Sequence, residues 1–205
     1  MNDNQNNLKH WRNFILFSIV VGLIVGCFSV VSDHSPYFGE GSNVSAFKTV
    51  TSYLAIMVNS LPMWFIVAMI VGYLYGRNLK EGILFGAIYT TLAITFYFIM
   101  GSVFEETAIQ STTKEIITVY VTWYGTSLVG GCIGGAAGFL YKKTPYVLLL
   151  LPVGLTLQLL LNGYRSWSNS IGIAQNITFC IMMIFSVWLF LNVKRKNRTS
   201  FGVHK

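Results

Sequence analysis

Charge is what this chain mostly does without. Its 14 basic and 7 acidic residues all fall outside six stretches, residues 13–32, 49–76, 82–104, 116–141, 144–164 and 166–193, each 20 to 28 residues long. A helix rises about 1.5 Å per residue and the hydrocarbon core of a bilayer is about 30 Å thick, so each stretch is long enough for one membrane-spanning helix. A charge at membrane depth costs at least about 2.5 kcal/mol and marks ion paths, proton relays or catalytic centres. Its absence argues against a proton-driven carrier. Histidine is missing from the stretches as well, since His10, His34 and His204 all lie outside them. Intramembrane hydrolysis, which needs an activating base or a metal ligand set, has no residues to work with. Cysteine is scarce: Cys27, Cys132 and Cys180 sit in three different stretches with no C-x-x-C. No disulfide framework and no metal site follow, and the three read as small apolar packing residues. Phosphate-loop and dinucleotide fingerprints are also absent, so no cofactor is expected.

What is present is apolar. Hydrophobic residues make up 54% of the chain and charged residues 10%, which excludes a disordered or ordinary soluble class. The expected fold is all-α: a single polytopic membrane helix bundle over residues 1–205, with six transmembrane helices at about 13–31, 61–76, 82–104, 117–141, 145–162 and 172–193. In a soluble protein the net charge of +7 would suggest a nucleic acid partner. Here its placement is a topology signal and no nucleic acid is implied.

If the spans alternate, one side holds Lys9, Arg12, Arg77, Lys80, Lys142, Lys143, Lys194, Arg195, Lys196, Arg198 and Lys205. The other holds only Lys48, Lys114 and Arg165, together with Asp33, Glu40, Glu105, Glu106 and Glu115. Eleven basic residues against three place both termini in the cytoplasm by the positive-inside rule. The run Lys194-Arg195-Lys196-Asn197-Arg198 is read as a stop-transfer anchor, with binding of anionic lipid as the alternative.

Local signals refine the spans. Residues 1 to 8 are Asn-rich and expected to be disordered. Lys9 and Arg12 before an apolar run have the form of a signal peptide, yet no A-x-A cleavage site follows. Ile24-Val25-Gly26-Cys27 has the pattern of a lipoprotein box that would lipidate Cys27. An intact first span is the reading taken, because the apolar run continues through Val31 and Ser18, Gly22 and Gly26 form a helix-packing face. The segment Ser32 to Lys48, with Pro36, Gly39, Gly41 and Ser42, reads as a loop anchored by Tyr37, Phe38 and Phe47.

The second stretch, at 28 residues, would be a helix of about 42 Å, too long for one straight crossing. Asn59-Ser60-Leu61-Pro62 supplies a break, with Asn59 or Ser60 as N-cap and Pro62 in the first turn. Ala46 to Val58 is therefore expected to be an interfacial or re-entrant helix before span 2; a single Pro-kinked helix is the alternative. In span 4, Gly130, Gly134 and Gly138 form one ladder and Ser127, Gly131 and Gly135 another. These surfaces admit close helix neighbours, which places span 4 centrally; backbone lining a passage is the other reading. Pro152 is expected to kink span 5. Gly72-Tyr73-Leu74-Tyr75-Gly76-Arg77 and Gly138-Phe139-Leu140-Tyr141-Lys142-Lys143 share a local phrase, taken as an ordinary span end with aromatic and then basic residues.

Neutral polar groups are unevenly placed. Asn59, Gln158, Asn162, Gln175 and Asn176 all belong to the outer third of the spans, while the inner halves hold no amide except Asn13 and Asn192 at their very edges. Tyr97, Tyr120, Trp123, Tyr124, Tyr164 and Trp167 share the outer level. Amides converging with aromatics in a bundle can orient a small polar ligand in an outward-facing cavity. The candidate ligand residues are thus Asn59, Tyr120, Trp123, Tyr124, Gln158, Asn162, Gln175 and Asn176. Interfacial anchoring is the competing reading.

Three resemblances follow from these residues. Glu105-Glu106-x-x-x-Gln110 is similar to the paired-glutamate motif of a membrane-protease family, but that family has Arg in place of Gln110 and needs in-membrane His, so the match is rejected. Asn59-Ser60-Leu61-Pro62-Met63-Trp64, then Gly72, a basic hairpin and Gly82, with the Gly-rich span 4 and Tyr141-Lys142-Lys143, resembles an uncharacterised family of six-span bacterial membrane proteins. That resemblance covers residues 59 to 164 and implies an architecture but no mechanism. More distantly, the size, the six spans and the Ser18, Gly22, Gly26 face look like the substrate-binding component of energy-coupling-factor transporters, in which such a face docks a coupling subunit. This chain has Ser and Gly where that family has Ala.

The function expected is that of a non-enzymatic multi-pass protein of a bacterial cell membrane. It would bind or transport a small uncharged or weakly polar solute through an outward-facing cavity. The alternative is an interaction protein, such as an immunity, assembly or sensory partner, that meets another membrane protein through spans 1 and 4.

Overall fold

The computed structural model describes residues 2–34, 45–104 and 113–202, with side chains over 5–34, 45–104 and 113–196. Pro36, Tyr37, Phe38, Gly39, Glu40, Gly41 and Ser42 of the first loop, Glu105, Glu106 and Gln110 of the second, and the Arg198 and Lys205 side chains lie outside the described residues. The fold is all-α: α1 Asn2–His34, α2 Ala46–Val58, α3 Leu61–Tyr75, α4 Leu79–Phe104, α5 Thr113–Tyr141, α6 Leu150–Asn162 and α7 Ser170–Gly202, with short 3-10 turns at Pro145–Leu149 and Tyr164–Trp167. Among the described residues five segments are long and apolar enough to cross a membrane, Gln5–His34, Leu79–Phe104, Thr113–Tyr141, Pro145–Asn162 and Ser170–Lys196, and the bent pair α2 plus α3 makes six if it counts as one span. Large apolar side chains are exposed along every one of these helices. In water such a surface would drive aggregation; in lipid it needs no cover.

The break in the second stretch falls at Asn59 and Ser60, where α2 and α3 meet at 60°. Asn59 closes α2, its N–H donating to the Ala55 carbonyl, and Ser60 turns extended at φ −74°, ψ 144°. Ser60 occupies the N-cap position of α3, but its hydroxyl donates back to the Met57 carbonyl at 2.6 Å and so finishes α2 instead. Pro62 fits the first turn of α3 because its missing N–H would have no partner there. One expectation needs correcting and one is narrowed. The 15 residues of α3 reach only about 22 Å, less than the hydrocarbon thickness, so residues 61–76 are not a complete span by themselves. Of the two readings of α2, interfacial or re-entrant, its packing favours the second: Met57 packs with Leu155 of α6 and Phe179 of α7, and the Tyr53 and Thr178 hydroxyls are 2.6 Å apart. The pair is a broken or re-entrant span.

The Asn-rich N-terminus, expected to be disordered, is helical from Asn2. Interactions with the α3–α4 hairpin hold it: the Arg77 guanidinium donates to Asn7 Oδ1 and His10 Nε2 lies 3.0 Å from the Tyr75 carbonyl. Behind them Phe14 is buried 4.3 Å from the Phe85 ring. At the same end Lys142 Nζ donates to the Gly76 carbonyl at 2.7 Å, neutralising the carbonyl terminus of α3.

Pro152 acts slightly upstream of itself. A proline inside an α-helix cannot donate to the carbonyl four residues back and its ring collides with it. Residues Pro145–Leu149 wind as a 3-10 turn and α6 begins only at Leu150, which puts Pro152 in a first turn. The bundle is built around the half of α5 nearest this turn. There α5 lies between α3 and α4, α4 in turn packs on α1, and α6 and α7 pack on α2, α3 and the 3-10 turn.

Candidate functional site

The glycines explain how α5 reaches the centre. A Cβ on Gly138 would strike the Met69 carbonyl oxygen and the Tyr73 nitrogen of α3, and one on Gly134 would lie 2.7 Å from the Ala68 Cβ. On the other side, Cβ atoms on Gly131 and Gly135 would strike Gly86 and Gly82 of α4. Two glycine faces thus admit two backbones. Gly130, in register with the first ladder, faces open space, because the half of α5 before it is exposed almost throughout. On α1, Ser18 is fully buried, Gly22 lies against Ala93 and Phe96, and Gly26 against the backbone at Phe96 and Tyr97. The face considered for docking another protein is covered by α4 of the same chain, which corrects the expectation that this face of span 1 meets a partner. Gly134 and Gly138 of span 4 are likewise filled from within.

The eight candidate ligand residues divide into separate groups. Asn59 Nδ2 donates to Asp33 Oδ1 at 3.0 Å, and the Tyr97 hydroxyl donates to Asp33 Oδ2 at 2.6 Å. One carboxylate at the end of α1 therefore ties the α2–α3 break to α4. Tyr120 and Tyr124 of α5 flank Phe98 of α4, with ring centroids 4.4 and 5.7 Å away, and the Tyr124 hydroxyl lies 3.0 Å from Thr95 Oγ1. Trp123, one position before Tyr124, is half exposed and takes no part.

The third group is a continuous chain of hydrogen bonds joining α6 to α7. Gln158 Nε2 donates to Asn162 Oδ1 at 2.8 Å, Asn162 Nδ2 to Asn176 Oδ1 at 3.0 Å, Asn176 Nδ2 to Ser166 Oγ at 2.7 Å, and the Ser166 hydroxyl to the Gly163 carbonyl at 2.8 Å. The geometry depends on Gly163, whose φ of +63° lets α6 end sharply and brings Ser166 under α7. Bonds aligned head to tail polarise one another. At the head of the chain, Gln158 Oε1 is buried and has no donor among the described residues. A buried acceptor left unpaired costs about 1–3 kcal/mol. Gln175 is also buried, one turn before Phe179.

Sequence reasoning passed over Ser166 and Asp33. Ser166 lies in a connector, and only the tight Asn162-Gly163 ending hinted that the connector folds back. Asp33 was read as a topology charge; its position at the end of a span, level with Asn59 and Tyr97, was the usable signal. Among the described residues no three His, Cys, Asp or Glu side chains stand together. Cys27, Cys132 and Cys180 are half-buried on α1, α5 and α7.

Set against family models, curated proteins and solved structures, the chain finds no match, so its own geometry must carry the functional argument.

Proposed function

We propose that this is a non-enzymatic, six-span protein of a bacterial cytoplasmic membrane, with both termini in the cytoplasm. It binds, as carrier or receptor, a small uncharged or weakly polar solute at the outer end of α6 and α7. The observation that carries the reading is the hydrogen-bonded chain from Gln158 to Gly163 with an unused buried acceptor at its head. An acceptor already polarised by four aligned bonds suits a neutral N–H or O–H donor. A full charge there would lack a counterion, and the cost of desolvating it would fall on the site. Gln158→Leu combined with Gln175→Leu is expected to leave a folded protein that has lost the small molecule co-extracted with wild type. Mass spectrometry of extracts from both proteins, with an empty-membrane control, decides; identical extracts from wild type and control would sink the reading.

Orientation rests on the eleven-to-three split of basic residues. Reporter fusions at Lys205 and within residues 105–114 should report opposite sides of the membrane, and the same side for both would refute six spans.

One observation favours an interaction protein as the second reading. Between Thr113 and Gly130, α5 is covered on one side only, and Gly125 and Gly130 open onto free space. Co-purification separates the two: a stoichiometric membrane partner and no bound solute would favour interaction.

A further inference from the structure

We infer that the seam between the Pro145–Leu149 turn and α7 binds the headgroup phosphate of an anionic phospholipid. Lys194 Nζ stands 5.4 Å from the centre of the Tyr146 ring and 5.7 Å from that of Phe190, and the two rings are themselves 5.4 Å apart. Two aromatic faces hold one ammonium at a defined place, which lowers the entropy lost when it engages an anion. Lys143 Nζ is placed similarly, 5.1 Å over the Phe139 ring, two residues before the turn.

Among the described residues no carboxylate is paired with Lys143 or Lys194. No acidic residue follows Glu115 in the chain, and of the seven acids only Asp3 and Glu81 belong to this end of the helices. The Glu81 carboxylate accepts from the Arg77 backbone N–H at 3.1 Å, on the α3–α4 hairpin. Lys142 is spent on the Gly76 carbonyl. An anion from the surrounding membrane fits this basic seam, and the position selects it. Phe190 is buried, Tyr146 is exposed, and Leu149, Leu150, Val187 and Leu191 are exposed directly beside them. A phosphate carrying acyl chains meets both halves of that surface at once, whereas a free phosphate or an acidic protein segment meets only the basic half. The inference stands apart from the solute site, which lies at the opposite end of α6 and α7.

The test uses the full chain in nanodiscs of phosphatidylcholine with a minor fraction of phosphatidylglycerol, followed by detergent extraction and native mass spectrometry. Wild type should retain phosphatidylglycerol above its bulk fraction. Lys194→Gln should lower that retention about fivefold and Lys194→Arg should keep it. Lys80→Gln, an equal change of charge at the same end of the helices but on α4, should leave it unaltered. Equal losses in Lys80→Gln and Lys194→Gln would reduce the effect to diffuse attraction and overturn the site. So would displacement of the lipid by millimolar inorganic phosphate, or retention of phosphatidylcholine in its place.

Discussion

Gly138→Leu should abolish recovery of folded protein, while Gly130→Ala, two ladder steps earlier, should leave it intact or slightly more stable. The two positions look alike in sequence and differ in what faces them. At Gly138 the added carbons meet the Met69 carbonyl and the Tyr73 nitrogen, which are backbone atoms of a packed helix and cannot rotate aside. Ordinary overpacking costs about 1–3 kcal/mol when side chains can yield; here α3 and α5 must separate instead. With them would go the contacts of Gly134 with Ala68 and of Gly72 with Gly135. Membrane helices gain little from hydrophobic burial against one another and depend on close packing, so the loss is not recovered elsewhere. At Gly130 nothing lies within 4 Å of the added methyl, and alanine is favoured over glycine in a helix by up to about 1 kcal/mol. Fluorescence-detected size exclusion with a thermal ramp reads both variants. A monodisperse Gly138→Leu protein with wild-type Tm would show that α5 is not held between α3 and α4 as described.

Asn176→Leu is expected to lower stability by about 1–3 kcal/mol, the largest effect of any single polar substitution in the chain. Asn176 is fully buried and is the middle link, accepting from Asn162 and donating to Ser166. Leucine, with the same branching but no polar atom, removes both bonds and leaves the Asn162 amide facing an apolar group. Polar contacts between membrane helices average only about 0.6 kcal/mol when the freed groups find other partners. The prediction sits above that because burial denies them one. Ser166→Ala should cost less, since Asn176 loses a single acceptor. A thermal melt in detergent checks the order, and an Asn176→Leu protein as stable as wild type would mean that water or lipid headgroups satisfy the chain instead.

The two substitutions show where sequence reasoning stops. The position of Asn162 and Asn176 along the membrane normal is legible, because depth follows from counting residues between charges at about 1.5 Å each. Their direction around the helix axis is legible only relative to their own helix. Gln158 and Asn162, four apart, had to share a face, but nothing in the chain said that Asn176 would meet them while Tyr120 and Tyr124 would turn to Phe98. The same holds for Trp123, which shares their level and faces away.

By itself the sequence determined the length and number of apolar segments, the place of the break at Asn59 and Ser60, the level of each amide, and the lopsided distribution of basic residues. These are one-dimensional properties, set by helical rise, proline chemistry and the cost of charge in lipid. Only the tertiary structure decided that Gly138 meets a backbone and Gly130 meets nothing, that the Ser18, Gly22 and Gly26 face is filled by α4, and that α2 is embedded against α6 and α7. It also decided that Asp33 fastens the break. Those outcomes depend on which helices become neighbours, and small-residue faces accept any close partner: what selects among them is the summed fit of the whole bundle, which no single helix encodes.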